Sequence, residues 1–490
     1  MPLFPPVAGA LLNIERFVVL MFENRSFDHV FGFEGENDPA VDGVPAGARN
    51  LEVPSDASSA SVPFAPASQF GMPFDPAHEF ADVALQLHAP NPAGGPVTMG
   101  GFVASALGTA ADFDDACRVM RGFDAAQLPA LTALAREFAV FNTWHSSLPG
   151  PTWPNRFFIH AATSGGLTDS PSHAQILEGF RFPAGTIYRR LESAAPPLNW
   201  RIYHDGLPQA AGIDSLRLSY ISPVTANFSA MANFAADVRA GNLPAYTFIE
   251  PRYDTGNSYL AGNSMHPMND IREGEKLLKL VYDTLRASPL WPTTMLVVTF
   301  DEHGGFFDHV VPPGAVPTGD DARYANPVDA FGFDRLGVRV PAVVASAYTR
   351  RGTVVGAAGA AAFDHASVLR TVEERFGLAS LTARDGAAAS LAAALNLAAP
   401  RMDTLAALPA PLTDGQATAA GTAPVSLVVP AGAALSDNQR TFVDLALRCN
   451  LDMHPESRAA LLAEHATVRT QGDAARYLAR HDAEIRARRA

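Results

Sequence analysis

The chain has 490 residues, of which 48% are hydrophobic, and a formal net charge of −14. This composition supports a large folded core and excludes a disordered chain, and the acidic balance argues against nucleic acid as a partner. Its two cysteines, Cys117 and Cys449, are too far apart for a metal-binding motif or a disulfide framework, and we interpret them as small apolar residues.

The first third of the chain begins with a strand signal. Residues 17–22, FVVLMF, form a β-branched and aromatic run that predicts a buried parallel strand. Residues 35–75 are rich in Pro, Ala, Ser and Gly and predict a long ordered loop. Apolar residues at helical spacing over residues 129–138 predict a helix, and the pattern becomes strand-like at residues 138–141.

The second half repeats this alternation. The clearest amphipathic helix spans residues 270–291, with its apolar stripe at Ile271, Leu277, Leu278, Val281 and Leu285. A buried strand at residues 295–300, a strand within residues 338–348 and a helix at residues 364–377 follow. Strands that alternate with helices predict an α/β fold, with a mostly parallel central sheet and helices on both faces.

The C-terminal part of the chain differs in composition. Residues 383–430 are rich in Ala, Pro and Thr and predict a linker or a loosely packed wrap, whereas residues 436–450 and 456–489 look helical. The N-terminus lacks a basic segment before its first apolar run, and no run is long enough to span a bilayer. We therefore expect a soluble, cytoplasmic protein, or a secreted or periplasmic one if a leader was removed.

Polar side chains follow the predicted strands, at the sheet edge where α/β proteins bind ligands. They are Glu23, Asn24, Asp301 and Glu302, with Thr152 and His266 in nearby loops. Carboxylates that converge in a buried place repel one another unless a cation neutralises them, and oxygen ligands suit a divalent metal ion. Each residue also has a structural interpretation: Asn24 as a helix cap, Thr152 as a turn residue, and His29, His303 and His309 as loop ties.

Thr152 is the candidate nucleophile. It lies between prolines in GPTWP, so its backbone is stiff, and its hydroxyl needs a cation or a base for activation. Asn155 and Arg156 follow closely enough to contact an anion bound at that hydroxyl, although Arg156 equally suits a structural ion pair.

Eight segments, in order from residue 17 to residue 377, resemble the phosphoesterase family of non-specific phospholipases C and bacterial AcpA-type acid phosphatases. They include ENRSFDH, PGPTWPNR, MHPMNDIREGE and TFDEHGGFFDHVVPP. The resemblance implies an alkaline-phosphatase-like three-layer sandwich, with a catalytic domain at residues 1–400 and a C-terminal linker and helical segment at residues 401–490 packing on it.

The resemblance also implies roles for individual residues. It makes Thr152 the nucleophile that forms a covalent phosphothreonine, and it places His78, His204 and His266 around the phosphate as catalytic groups. The ligands of one divalent metal ion (Ca, Zn, Mg or Mn) would be Glu23, Asn24, Asp301 and Glu302. Substrate contacts are assigned to Asn155, Arg156 and His303.

The expected function is that of a metal-dependent phosphoesterase, with phospholipase C activity ahead of a broad-specificity acid phosphatase. A sulfatase of the same superfamily is disfavoured because neither cysteine lies in the motif of a sulfatase nucleophile, and a non-catalytic binding protein is a further alternative. We expect a phosphate ester or phospholipid substrate, no nucleic acid, and at most transient contact with a lipid surface. Head group, metal identity and oligomeric state stay undetermined.

Overall fold

A computed structural model of the chain describes residues 4–255, 259–326, 328–356, 360–423 and 432–489. In these ranges the strands are β1 (Arg16–Phe22), β2 (Arg49–Leu51), β3 (Ser61–Pro63), β4 (Ala65–Pro66), β5 (Arg121–Gly122), β6 (Ala139–Phe141), β7 (Trp200–His204), β8 (Phe228–Ala230), β9 (Tyr246–Glu250), β10 (Thr294–Phe300), β11 (Ala342–Ser346) and β12 (Thr353–Val355). The predicted strands at residues 17–22, 138–141 and 295–300 are confirmed within one residue at their ends.

The helices of the described residues are distributed along the whole chain. They are α1 (Phe27–Phe31), α2 (Phe80–His88), α3 (Phe102–Ala106), α4 (Phe113–Ala116), α5 (Pro129–Glu137), α6 (Thr152–Ala161), α7 (His173–Glu178), α8 (Ile187–Glu192), α9 (Asp214–Ile221), α10 (Phe234–Arg239), α11 (Ile271–Arg286), α12 (Ala366–Phe376), α13 (Ala383–Ala387), α14 (Asp414–Ala419), α15 (Asp437–Met453), α16 (Arg458–His465) and α17 (Gln471–Arg489). None of the helices in the described ranges combines the length and the apolar character that crossing a bilayer requires.

Eight strands form the central sheet, in the order β12-β6-β11-β10-β1-β9-β7-β8. Neighbours are parallel except where β11 pairs with β10 and with β6. The predicted α/β fold with a mostly parallel sheet is therefore confirmed. The reversal of β11 is a finding of the structure: the described residues between β10 and β11 contain no crossover helix, and a parallel neighbour requires such a crossover.

The core of the sheet is fully apolar at its centre. Every residue of β10 is buried, as are the residues of β1 from Phe17 onward. The stripe of α11 that the sequence predicted is buried as well, with Ile271, Leu278 and Val281 fully inaccessible to solvent. The middle strands are thus rigid supports for whatever follows their ends.

The segment predicted as a linker is ordered along α11 over its described part, while residues 424–431 lie outside the described residues. Side chains of α11 donate to its backbone: Tyr282 to Leu405 O at 2.6 Å and Arg286 to Met402 O at 2.7 Å. The segment also contains α13 and α14. It is a wrap held by main-chain hydrogen bonds, and the division near residue 400 stays a prediction.

The C-terminal helices share the core of the sheet domain. Phe442 of α15 packs against the rings of Trp153 and Tyr253, at centroid distances of 5.7 and 5.3 Å. Arg217 of α9 donates to Asp452 of α15 at 2.7 Å. The prediction that residues 456–489 are helical is confirmed, although the structure divides this stretch into α16 and α17.

Candidate active site

The strands β1 and β10 end side by side, so the residues after them meet at one edge. Phe22 and Phe300, the last residues of the two strands, are direct partners in parallel register. The backbone N–H after Glu23 donates across the strand ends: Asn24 N lies 2.9 Å from Asp301 Oδ1. The register thus brings together the four predicted ligands, Glu23, Asn24, Asp301 and Glu302.

The carboxylates at this edge differ in how they are satisfied. Asp301 Oδ1 accepts the backbone N–H groups of Asn24 and Glu302, and Oδ2 accepts from Arg156 Nε at 2.9 Å. By contrast, both oxygens of Glu23 and Oε1 of Glu302 are buried without a well-formed hydrogen bond among the described residues, although the Ser264 hydroxyl lies beside Glu23. Such oxygens are costly unless a ligand binds them.

The pKa values of Glu23 and Glu302 also show that these two carboxylates lack sufficient compensating charge. Burial raises the pKa of Glu23 to about 8; the Arg156 guanidinium opposes this rise and the Asp301 carboxylate adds to it. Burial likewise raises the pKa of Glu302 to about 8, with His78 opposing and Asp301 contributing. The four residues supply three carboxylates and one amide oxygen, the donor types that a divalent cation prefers, although these carboxylates are not among the described groups whose ligand atoms all lie within 4.8 Å of one another.

The backbone at this edge has the left-handed conformation in two places. Asn24 has φ 56°, and Gly304 has φ 62°. A β-carbon at Gly304 would lie 2.3 Å from Asn24 O, and one at Gly305 would lie 2.8 Å from Ala77 O. The two glycines therefore let the chain pass where a β-carbon would clash.

Thr152 lies directly beside the ligand group. It is the first residue of α6, it is buried, and its Oγ1 donates to Asn24 Oδ1 at 3.3 Å. The first amides of a helix have no intrahelical acceptor, so the N-terminus of α6 favours an anion. The Thr152 hydroxyl, the Asn24 side-chain amide and the N-terminus of α6 thus meet at one point.

Asn155 and Arg156, predicted to contact substrate, brace the site in the structure. Asn155 Oδ1 accepts from Leu148 N at 3.1 Å, and its Nδ2 donates to Gly150 O at 2.8 Å. Arg156 Nη2 donates to Phe22 O at 3.1 Å in addition to its ion pair with Asp301. Asn155 holds the loop before Thr152, and Arg156 ties α6 to the ends of both strands.

His78 is close to the group through its Nε2 atom. This atom lies 3.1 Å from Asn24 Nδ2 and 3.8 Å from Glu302 Oε1, while Nδ1 donates to Pro76 O at 2.6 Å. Burial lowers the pKa of His78, but Glu302 and Asp75 outweigh burial and raise it to about 10. His78 and Thr152 therefore contact the same Asn24 amide from its two ends.

His266 is buried next to an acidic partner that the sequence did not indicate. Its Nε2 lies 3.3 Å from Asp75 Oδ2, its Nδ1 accepts from Met268 N at 3.3 Å, and its ring stacks on Tyr259 at 3.5 Å. Burial lowers the pKa of His266, against the influence of Asp75. With Nδ1 occupied as an acceptor, the ring carries its proton on Nε2, toward Asp75.

The other two predicted histidines differ in their surroundings. His303 Nε2 lies 2.7 Å from Gln86 Oε1, with the ring edge-on to Phe102, and its Nδ1 lies 3.5 Å from Glu302 Oε2, which belongs to a predicted ligand. His204 ends β7, but its described contacts are with Gly206 O, Arg489, and the rings of Tyr220 and Phe228. The structure thus brings His78 and His266 toward the ligand group and turns His204 toward α17.

Two residues at the site were missed in the sequence. Asp75 pairs with His266, and it stands three residues before His78 in DPAHEF. Arg25 holds the His266 loop through Met265 O at 2.8 Å and His266 O at 3.1 Å. The spacing of Asp75 and His78 was a usable signal, but nothing in the sequence links Arg25 to residues 240 positions away.

A second acidic group lies nearby and is already neutralised. Asp28 and Asp308 are both buried against Arg339, whose nitrogen atoms lie 2.8 and 3.2 Å from their oxygens. His309 Nδ1 adds a contact with Asp28 Oδ2 at 2.8 Å. The Asp308–His309 pair of the motif therefore ties loops together around a guanidinium.

Comparison with known sequences finds one family and a set of enzymes. The sequence profile of the Phosphoesterase family matches residues 14–379. Non-specific phospholipase C6 of Arabidopsis thaliana is 37% identical over 465 residues, covering 93% of this chain and 84% of its own length. Phospholipase C A of Mycobacterium tuberculosis is 29% identical over 457 residues, covering 83% of this chain and 82% of its own.

Comparison with solved structures finds weaker likenesses. A protein of the alkaline phosphatase superfamily from Vibrio parahaemolyticus is 15% identical, with a TM-score of 0.32, and covers 52% of this chain and 61% of its own.

Proposed function

Because this chain belongs to the Phosphoesterase family, with residues 14–379 inside the family profile, we propose that it is a metal-dependent phosphoesterase of the phospholipase C type with Thr152 as nucleophile. One observation carries the proposal. The Thr152 hydroxyl lies 3.3 Å from the amide oxygen of Asn24, at the edge where three buried carboxylates converge. The names of the relatives, phospholipases C from a plant and a bacterium, support the class of reaction.

The metal would be held by Glu23, Asn24, Asp301 and Glu302. When bound, a divalent cation supplies Lewis-acid stabilisation of phosphoryl charge and activates a nearby hydroxyl. The unpaired oxygens of Glu23 and Glu302 are the feature of this chain that calls for such an ion. Arg156 keeps Asp301 in place for it.

The proposed reaction has two displacements at phosphorus. Thr152 Oγ1 gives its proton to solvent and attacks phosphorus; the bond from oxygen to phosphorus forms, and the bond to the leaving alcohol breaks. A histidine, His78 or His266, donates a proton to the departing oxygen. Water then gives a proton to that histidine and attacks the phosphothreonine; the bond to Thr152 Oγ1 breaks, this oxygen takes up a proton from solvent, and phosphate or a phosphorylated head group is released.

Three features support the roles proposed for Thr152, for the histidines and for the N-terminus of α6. His78 contacts the same Asn24 amide as Thr152, so both groups face one substrate position. The N-terminus of α6 faces that position too, and its free amides stabilise negative charge on the phosphoryl oxygens. His266 is oriented by Asp75 and Tyr259.

A phospholipid is the proposed substrate. Apolar side chains are exposed in the segment that follows Asp301 and Glu302: the exposed fractions are 49% for Val311, 45% for Val316 and 84% for Val328. Exposed valines in this segment suit brief contact with a lipid surface during turnover.

The test combines metal analysis with three substrates: p-nitrophenyl phosphate, p-nitrophenyl phosphorylcholine and phosphatidylcholine. We expect wild-type protein to contain a divalent metal and to hydrolyse the diester and the lipid. Thr152→Ala should retain metal and fold and lose turnover by at least about 1000-fold. Thr163→Ala, which truncates another buried threonine just beyond α6, is the matched control and should keep full activity.

Each outcome decides between the candidate functions. Turnover of the monoester alone would favour the acid phosphatase alternative. Full activity of Thr152→Ala would refute the nucleophile assignment, and activity in metal-free protein would refute metal dependence. Trapping of labelled phosphate on wild-type protein and its absence from Thr152→Ala would support the covalent intermediate.

A further inference from the structure

Two histidines and one aspartate converge at a second place, between α7 and the C-terminal helices. His173 Nδ1 lies 2.9 Å from Asp444 Oδ1, and His465 Nε2 lies 2.7 Å from the same oxygen. The three residues come from three helices: the start of α7, the second turn of α15 and the end of α16. Their ligand atoms lie within 4.8 Å of one another.

From this geometry we propose that His173, Asp444 and His465 form a zinc-binding site that links the C-terminal helices to α7. Zinc sites with three protein ligands keep a fourth position for water, with bonds of about 2.0–2.2 Å to imidazole nitrogen and carboxylate oxygen. At the tetrahedral angle such bonds place neighbouring ligand atoms roughly 3.3–3.6 Å apart. The observed separations of 2.9 and 2.7 Å are shorter, so binding requires side-chain rotations that move the ligand atoms apart by about half an ångström.

The charge balance separates this group from the one around Arg339. Asp444 is buried, with 2% of its surface exposed. In the described part of the chain, its ion-pair partners are the two histidines alone, whereas Asp28 and Asp308 are neutralised by Arg339. A histidine carries a positive charge only when it is protonated. Asp444 therefore has no permanently charged partner among these residues, and a zinc ion would supply one.

The ligand chemistry separates this group from the active-site edge as well. Two imidazoles and one carboxylate prefer borderline ions such as Zn²⁺ over Ca²⁺ or Mg²⁺. The active-site edge offers oxygen ligands only. The two histidines differ in solvent exposure: the side chain of His173 is 49% exposed and that of His465 is 19% exposed. Solvent therefore reaches the group from the α7 side, which gives zinc a path of access and a water ligand.

The experiment titrates chelator-treated full-length protein with ZnCl2 and with CoCl2, recording stoichiometry, melting temperature and the visible spectrum of bound Co²⁺. His173→Ala removes the most exposed ligand and perturbs folding least; Asp444→Asn is the second variant. His454→Gln is the matched control, since His454 also pairs with a carboxylate in the C-terminal helices, Glu484, but without a second histidine.

We expect wild type and His454→Gln to bind one more equivalent of Zn²⁺ than His173→Ala or Asp444→Asn, and to melt at higher temperature with zinc than without it. Both ligand variants should lose that rise. Repeating the titration on Asp301→Asn, which alters the active-site edge, should leave the zinc-dependent rise intact. This arm distinguishes failure of the zinc site from failure of the proposed catalytic metal.

Two results would overturn the proposal. If the ligand variants bind as much Zn²⁺ as wild type, or if wild type shows no zinc-dependent rise in melting temperature, the group is a hydrogen-bonded His–Asp–His bridge.

Discussion

Single residues at the active-site edge depend on backbone conformations that few residue types adopt. Asn24 and Gly304 are both left-handed, and they touch, since the α-carbon of Gly304 lies against the Asn24 backbone. Asparagine is among the side chains that tolerate this conformation, and glycine is the one that also leaves the space. The position of the Asn24 amide therefore depends on the conformation of the turn after Glu302.

Gly304→Ala tests that unit. We expect activity to fall by about 100-fold, because displacement of Asn24 by around an ångström moves a ligand and the partner of Thr152. The free energy of unfolding should fall by more than the roughly 1–2 kcal/mol typical of a left-handed residue with a side chain. Chemical denaturation and steady-state kinetics measure both quantities.

Gly377→Ala provides the comparison for this prediction. Gly377 has φ 65°, at the C-terminus of α12, but a β-carbon there meets no atom within 4 Å. This variant carries the conformational cost without the clash and should keep full activity. Equal effects of the two substitutions on activity would show that the contact with Asn24 is unimportant.

Helices also meet through buried side chains that bind the backbone of a neighbour. Glu275 of α11 accepts from Leu131 N, in the first turn of α5, at 2.7 Å, and its second oxygen is buried with no partner among the described residues. Burial raises the pKa of Glu275 to about 8, against the backbone N–H groups of Leu131 and Ala130. Its carboxyl is therefore protonated in the folded state at neutral pH.

This raised pKa predicts a pH-dependent stability. The unfolded chain loses the Glu275 proton near the ordinary glutamate pKa of 4.5 and the folded chain near 8, so the folded state binds more protons between these values. Stability then falls as pH rises from about 4.5 to 8. Glu275→Gln should remove this loss, gaining on the order of 2–4 kcal/mol over wild type between pH 5 and pH 8.

Urea unfolding of both proteins at several pH values between 5 and 8 measures the difference. Glu273→Gln, on the same helix but partly exposed and paired with Lys276, is the control, and its difference from wild type should stay small. A constant difference between wild type and Glu275→Gln over this range would contradict the prediction.

Across the whole molecule, the C-terminal helices contact residues that support the active-site edge. Phe442 packs on Trp153, the neighbour of Thr152, and on Tyr253, whose ring lies under the Arg156 guanidinium at 5.1 Å. Trp153 also donates to Asn438 Oδ1 at 3.1 Å. A change in α15 therefore reaches the surroundings of both Thr152 and Arg156, the arginine that holds Asp301.

Phe442→Ala should act on stability and on turnover together. We expect a loss of about 3–5 kcal/mol in the free energy of unfolding and a fall in kcat of about tenfold or more, measured well below the melting temperature. Ile485→Ala, which truncates a buried residue of α17, should cost about 2–5 kcal/mol with kcat unchanged. If both variants leave kcat intact, the C-terminal helices stabilise the fold without positioning the site.

Much of the fold follows from local patterns in the sequence. The runs at residues 17–22 and 295–300 can only be buried strands, and the stripe of α11 can only face a core, because apolar side chains at those spacings leave water together. The grouping of Glu23, Asn24, Asp301 and Glu302 was predictable for the same reason: residues after parallel strands share one edge of the sheet.

Tertiary structure alone decided the contacts between distant segments, because the residue types in those segments suit several partners. The antiparallel direction of β11, the bracing role of Asn155 and the Asp75–His266 pair have no local signature. His204 lies at the end of a strand of the same sheet as Glu23, yet it faces α17. A sequence specifies which residues are buried and which carry charge, whereas the partner of a polar side chain depends on packing between elements tens or hundreds of residues apart.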